Sequence, residues 1–250
     1  MKTNIFCKKR SNVPITALLT GVAVSFAPIN LAWAVEPVPY VYYGTNIEQF
    51  EYRFSDDNEV AAWDGYAFVG TDELKFRLES SGEYALDESA FETLEHQGLL
   101  QIPVSGFWDA KAGLRYDAPV GEDRGYAVLG LTGLAPQWFE VDADLFLSEK
   151  GDFSTRLEAD YELLLTNRLI LRPVAEVNIA FSEDEEVGIG RGLSSLETGV
   201  RLSYDLVDRT IAPYVGVHYE RNFGDTRDLV KEDGGKTDEV FFVTGLRVMF

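Results

Sequence analysis

Residues 153–163 read FSTRLEADYEL, and in this stretch charged or hydroxyl side chains alternate with mostly apolar ones. A helix would bring the charges back every three or four positions, whereas a strand sends successive side chains to opposite faces. The period of two therefore predicts a β-strand with one apolar and one charged face. Its length exceeds the roughly 5–6 residues of ordinary globular strands and matches the ~9–11 residues of a tilted strand that crosses a bilayer.

The same alternation recurs along the chain from residue 46 onward. It predicts about twelve strands, near residues 46–54, 60–69, 72–84, 91–102, 107–117, 125–133, 137–148, 153–165, 169–181, 194–205, 211–221 and 239–250. Short connections such as 166–167 alternate with long ones such as 182–193, which is typical of outer-membrane barrels. The fold class that these patterns predict is all-β, a closed antiparallel transmembrane β-barrel.

The last strand carries a further signal of this class. Phe242, Thr244, Leu246, Val248 and the terminal Phe250 share one face. A final apolar strand that ends in Phe resembles the insertion signal of bacterial outer-membrane proteins. We therefore expect the barrel insertion machinery to be a partner that recognises Phe250.

The composition excludes several classes of protein. The chain has 250 residues, 22 Lys and Arg against 42 Asp and Glu, and a net charge of −20. Such an acidic chain repels phosphate, so no nucleic acid is expected as a partner. One Cys and two His do not suffice for a disulfide scaffold or a Cys/His metal domain.

The N-terminus has the parts of an export signal. Basic residues precede a mildly apolar stretch, and Ala32-Trp33-Ala34 offers a cleavage site. We expect residues 1–34 to be a signal peptide, 35–45 a short periplasmic segment and 46–250 the outer-membrane barrel. Without the four basic residues of the signal, 18 basic and 42 acidic residues remain, a net charge of −24.

Strand charges belong in the lumen, because the other strand face meets lipid. The predicted lumen charge network comprises Arg115, Asp117, Glu140, Asp142, Arg156, Glu158, Asp160, Glu176, Glu197, Arg201 and Arg247. A twelve-stranded barrel is narrow, so these groups are predicted to form a structural ion-pair network that fills it. The alternative is a small cation-selective path or a metal site formed by the acidic excess.

Copper favours soft or imidazole ligands, and this chain offers few of them. The candidates are His96, His218 and Met249, with Glu220 on the same strand face as His218. A lone His is more often a hydrogen-bonded structural residue than a ligand.

From Trp63 onward, long phrases resemble one known family. The matching stretches are FWD at 107–109, AGLRYD at 112–117, GLTGLAPQWFEVDADLFLS at 130–148, RLEADYELLLTNRLIL at 156–171, GIG at 188–190, GLS at 192–194, APY at 212–214 and ER at 220–221. They resemble the copper resistance protein B family of outer-membrane proteins. The resemblance implies a role in copper homeostasis or resistance, with copper weakly bound and periplasmic copper proteins as partners. Family members often carry a Met- and His-rich N-terminal extension thought to sequester copper, whereas residues 35–46 contain neither.

Three functions compete at this point. The leading hypothesis is an outer-membrane barrel in copper resistance that passes or weakly binds ions, surrounded by membrane lipid and lipopolysaccharide. The second is a non-specific cation-preferring pore or structural barrel without a copper role. An outer-membrane phospholipase would need a Ser/His pair at the lipid face. Because His218 falls on the polar face and His96 lies in an ambiguous strand, no enzyme is predicted.

Overall fold

Thirteen β-strands make up nearly all of the computed structural model, which describes residues 40–250 apart from 57, 119–122, 208 and 233. The strands are β1 (Tyr42–Phe54), β2 (Glu59–Gly70), β3 (Lys75–Ala85), β4 (Ala90–Pro103), β5 (Trp108–Asp117), β6 (Arg124–Leu134), β7 (Glu140–Ser148), β8 (Phe153–Asp160), β9 (Leu163–Leu164), β10 (Leu169–Ala180), β11 (Gly192–Tyr204), β12 (Ile211–Asn222) and β13 (Asp238–Met249).

The strands form one sheet that closes on itself. Consecutive strands pair antiparallel, except that β8 and β9 both pair with β10, and β1 pairs with both β2 and β13. The short β9 lies on the same edge of β10 as β8, so the barrel wall has twelve strand positions. Backbone hydrogen bonds between Thr45 and Phe250, at 2.9 and 3.0 Å, complete the closure. The predicted closed antiparallel barrel of about twelve strands is confirmed.

The barrel has two unlike ends. The terminal end carries Tyr42 and Phe250, and its connections include a 3₁₀ turn at Pro136–Trp138. The opposite end, here called the loop end, carries a 3₁₀ turn at Glu185–Val187 and the helix α1 (Gly224–Glu232). Within the described residues, no helix has the length and apolar character needed to cross a membrane.

The two faces of the wall differ in chemistry, as the alternation predicts. Apolar side chains point outward, with Leu114 exposed by 70% and Phe242 by 58%. Charged side chains that would normally prefer solvent point inward and are buried, among them Glu51 and Arg201. An apolar exterior and a charged lumen are the opposite of a water-soluble sheet and match a barrel that lies in lipid.

Some boundaries differ from those predicted. β1 begins at Tyr42, before the predicted start at residue 46, because its pairing with β2 extends to Tyr42 opposite Gly70. The predicted strand 153–165 is broken at residues 161–162, where Glu162 turns to meet Arg247 and Arg209. The predicted signal peptide, residues 1–34, lies outside the described residues.

Candidate functional site

The barrel encloses a cavity of about 550 Å³ lined mostly by charged and other polar side chains. Ten members of the predicted charge network line it: Arg115, Asp117, Glu140, Asp142, Arg156, Glu158, Asp160, Glu176, Glu197 and Arg201. The eleventh, Arg247, lies nearer the terminal end and forms an ion pair with Glu162. These residues of the network therefore point into one cavity. The ion-pair partners of each residue determine which charges in that cavity are available to a ligand.

The most buried ion cluster is centred on Glu51 of β1. Its fully buried carboxylate accepts hydrogen bonds from Arg53 Nε at 2.9 Å, from Arg201 Nε and Nη2, and from the Tyr214 hydroxyl at 2.9 Å. Arg53 also pairs with Glu83 at 2.5 Å. Because Arg201 lies on β11, this cluster ties two separated parts of the wall together across the lumen.

A second cluster surrounds Glu95 of β4. Arg115 pairs with this carboxylate at 2.7 Å, and Arg156 pairs with it through two nitrogens at 2.9 and 3.0 Å. The Arg115 guanidinium also lies 4.5 Å from the ring centre of Phe146, a cation–π contact. Glu95 thus joins β4, β5 and β8 across the lumen.

The remaining cations of the lumen have their own carboxylates. Arg172 pairs with Asp160 and Glu48, each at 2.7 Å. Lys111 pairs with Asp142 at 2.7 Å and with Asp144 at 3.0 Å. These contacts are structural, since each satisfies a charge that burial would otherwise leave unpaired.

Sequence reasoning missed the centres of both clusters, Glu51 and Glu95, together with Arg53. The sequence does indicate that Glu51 and Arg53 face the lumen, because they alternate with the apolar or aromatic residues Phe50, Tyr52 and Phe54. The fourth strand gave no such signal, since polar residues crowd the stretch around Glu95 on both faces.

Some lumen carboxylates have no such partner. Glu158 and Glu220 form no ion pair or hydrogen bond with the described residues, and Glu197 meets only His218 Nε2, at 3.7 Å. Uncompensated carboxylates in a confined space raise the local concentration of cations. This part of the lumen is therefore suited to binding a positively charged ligand.

His218 of β12 is buried beside Glu197, with Arg53 and Arg201 also nearby. Only 4% of its surface is exposed, and neither ring nitrogen has a hydrogen-bond partner in the described residues. Its cross-strand neighbours are Gly199, which has no side chain, and Phe241, whose ring cannot accept the usual hydrogen bond. A buried imidazole with both nitrogens unpartnered is uncommon and invites an external ligand.

The donor set at this point fits a loosely held copper ion. One imidazole nitrogen with carboxylate oxygens is a combination that Cu²⁺ accepts, whereas Cu⁺ prefers thiol and thioether sulfur. Among the described residues, no group of three or more His, Cys, Asp or Glu side chains is arranged to hold a metal ion.

The four predicted metal candidates do not meet at one site. His218 and Glu220 share the inner face of β12. Met249 lies eight residues along β13 from the neighbour of His218, roughly 26 Å away. His96 is exposed on the outer face of β4 and is separated from His218 by the barrel wall.

On the outer surface, His96 has Ser80 as its cross-strand neighbour. The Ser80 hydroxyl accepts a hydrogen bond from Trp63 Nε1 at 3.2 Å. Within the described residues, no hydrogen bond joins Ser80 to His96, so a base-activated serine is not assembled here.

The acidic connection between β10 and β11 folds over the cavity. Its residues Val187 and Ile189 line the lumen, and Arg124 of β6 donates hydrogen bonds at 3.1 Å to both Asp184 and Glu186. Arg124 is 1% exposed. Arg124 lies 60 residues away from Asp184 in the chain, so the sequence alone does not reveal this contact.

Comparison with known proteins agrees with this architecture. The family model described as copper resistance protein B precursor matches residues 41–250. Copper resistance protein B of Escherichia coli is 38% identical over 204 residues, 82% of this chain and 68% of the relative. A copper resistance protein B homolog of Pseudomonas syringae pv. tomato is 38% identical over 203 residues, 81% and 68% of the two chains.

Among solved structures, the NanC porin is similar in fold, with a TM-score of 0.50 at 12% identity, covering 83% of this chain and 99% of that one. A closed wall that is apolar outside and charged inside, with a porin of similar fold, defines a transmembrane β-barrel of the outer-membrane type. Within that class, the chain belongs to the copper resistance protein B family.

Proposed function

We propose that this protein lies in the outer membrane and acts in copper resistance, with copper ions passing through or binding weakly in its lumen. Two findings support the proposal. The chain is a member of the copper resistance protein B family, and its lumen holds uncompensated carboxylates rather than uncompensated cations. No catalytic step is part of the proposal.

The observation that carries the proposal is the state of His218. The imidazole is buried, both nitrogens lack partners, and Nε2 faces Glu197 at 3.7 Å. A structural histidine would be hydrogen-bonded, as buried polar groups usually are. A copper ion that reaches this point would gain an imidazole nitrogen and a carboxylate oxygen at little structural cost.

The proposal includes three partners that the family and fold favour. Outer-membrane lipid and lipopolysaccharide would surround the apolar exterior, and the barrel insertion machinery would recognise the final strand through Phe250. Periplasmic copper proteins would exchange copper at the terminal end. Export through the periplasm would require residues 1–34 to act as a signal peptide.

One observation favours a second candidate, a structural barrel or non-specific cation-preferring pore without a copper role. Ion pairs such as Arg201–Glu51 and Arg156–Glu95 span the lumen and narrow it. If the main function of the lumen charges is to form these structural contacts, the barrel has no specific interaction with copper.

Growth in copper distinguishes the two candidates. A strain that lacks the gene is complemented with the wild type, with His218→Ala or with His96→Ala, and the copper concentration that stops growth is measured. We expect the wild type and H96A to restore tolerance and H218A to restore it only in part, because only His218 faces the lumen.

Zinc and cobalt serve as control metals in the same strains. Equal changes in tolerance to all three metals would favour the non-specific pore. Copper tolerance that does not differ between the deletion strain and the complemented strain would refute the proposal.

A further inference from the structure

Six carboxylates form a continuous row across the inner wall of the barrel. Cross-strand register places each directly opposite the next on six consecutive wall positions, in the order Asp142, Glu158, Glu176, Glu197, Glu220 and Glu239. We call this set the carboxylate row. Like charges directly opposite each other destabilise a sheet, so the arrangement carries a cost without an evident structural return.

The row runs from one end of the barrel to the other. Asp142 is the third residue of β7 counted from the terminal end, and Glu239 is the second residue of β13 counted from the loop end. Because barrel strands are tilted, a row of registered residues climbs as it passes around the wall. Neighbouring members lie on strands about 4.8 Å apart.

Three members of the row are held by cations and three are not. Asp142, Glu176 and Glu239 are held by Lys111, Arg156 and Lys236 at 2.7–3.1 Å. Between them, Glu158 and Glu220 have no ion pair or hydrogen bond among the described residues, and Glu197 has only the distant imidazole of His218. The free carboxylates are therefore Glu158 and the neighbouring pair Glu197 and Glu220, all on one line.

His218 is an independent sign that the row receives a ligand. It is more than nine-tenths buried, its ring nitrogens are unpartnered, and Nε2 points at Glu197 in the middle of the row. The nearest arginines cannot take this place. Arg201 is bound to Glu51, and Arg53 is bound to Glu51 and Glu83.

We infer that the carboxylate row is the path along which hydrated divalent cations cross the lumen, with the His218–Glu197 pair as its midpoint. This inference rests on the proposed function and names the route within the same lumen. Closely spaced anionic positions bind a cation at each step without holding it, which is what conduction requires. The arginines of the lumen are neutralised by carboxylates. The row is therefore the part of the lumen that attracts cations.

The test is ion selectivity of the purified full-length protein in planar bilayers. Reversal potentials in CaCl₂ and CuCl₂ gradients are measured for the wild type and for the triple variant Glu158→Gln, Glu197→Gln and Glu220→Gln. We expect a cation-selective wild type and a fall of about tenfold in the cation-to-chloride permeability ratio of the triple variant, because three acidic side chains leave the path.

A control with the same change in charge is Glu73→Gln, Glu88→Gln and Glu232→Gln, at three exposed positions outside the strands. It should keep wild-type selectivity. The triple variant should fold with unchanged or higher stability, because its changes relieve repulsion between neighbours. If the triple variant does not fold, the three single variants replace it in the same measurement. Each is expected to show part of the loss of cation selectivity.

A wild type that conducts no ions or prefers chloride would overturn the inference, and so would a triple variant with wild-type selectivity. Either result would leave copper tolerance and the H218A growth difference untouched, so the proposed function could stand without this path. Conversely, the deletion strain could show unaltered copper tolerance while the bilayer measurements show cation selectivity that depends on the row. That result would refute the copper role and support the path.

Discussion

Replacing Glu51 by alanine is expected to lower the free energy of unfolding by about 3–5 kcal/mol, the usual cost of removing one partner from a buried ion pair. The side chain of Glu51 is fully buried, and those of Arg53 and Arg201 are exposed by only 7% and 5%. Without the carboxylate, Arg201 loses its ion-pair partner, Arg53 loses one of its two, and the Tyr214 hydroxyl loses its acceptor. Urea unfolding in detergent micelles, followed by tryptophan fluorescence, measures the change.

The matched control is Glu158→Ala, which removes the same side chain from another lumen position. Because Glu158 has no ion pair or hydrogen bond among the described residues, E158A should leave stability unchanged or raise it. A double variant of Glu51→Ala with Arg201→Ala should be destabilised by less than the sum of its single changes, since the two residues interact directly. Equal destabilisation by E51A and E158A would show that the cluster around Glu51 does not hold the barrel together.

Replacing Arg124 by glutamine is expected to loosen the loop that folds over the cavity. Arg124 is almost fully buried and bonds both Asp184 and Glu186, so its loss removes two charge-assisted hydrogen bonds. If the two hydrogen bonds together contribute about 2 kcal/mol to the free energy of opening the loop, amide hydrogen exchange in the loop should become roughly thirtyfold faster without them. The amides to follow are those of Asp184 and Ile189, each bonded to the other's carbonyl at 2.8 and 3.0 Å.

Lys150→Gln removes a charge from the same loop contact and serves as the control. Lys150 also pairs with Glu186, but 39% of its side chain is exposed, and exposed ion pairs contribute little. The exchange rate of the Asp184 and Ile189 amides should therefore change little in K150Q. Identical rates in R124Q and K150Q would show that Arg124 does not anchor the loop.

The strands and their faces could be predicted from the sequence because alternation is a local property. Residues 153–163 show their inward and outward faces without knowledge of their neighbours. The same local pattern identified Arg201 and Glu197 as lumen residues. Closure was expected because backbone groups in lipid need hydrogen-bond partners within the sheet.

The partners of each lumen charge could not be predicted, because they depend on which strands face each other across the barrel. Arg201 and Glu51 lie 150 residues apart in the chain, and Arg156 and Glu95 lie 61 apart. The carboxylate row was equally hidden. Its members belong to six strand positions, and only the register of five strand pairs brings them into line.

The metal candidates show the same limit. His96, His218 and Met249 were grouped because copper favours their side chains, and alternation alone placed His218 and Glu220 on one face. The structure separates His96 from His218 by the wall and Met249 by most of the barrel height. What distinguishes His218 is its missing hydrogen bonds, a property that no sequence pattern reports.

The proposed role of the lumen is tested most directly by electron paramagnetic resonance of Cu²⁺ bound to the folded barrel. We expect coupling to one imidazole nitrogen in the wild type and in His96→Ala. In His218→Ala we expect that coupling to be lost and the Cu²⁺ affinity to fall at least about tenfold. A nitrogen signal that persists in H218A, or that disappears in H96A, would contradict copper handling in the lumen.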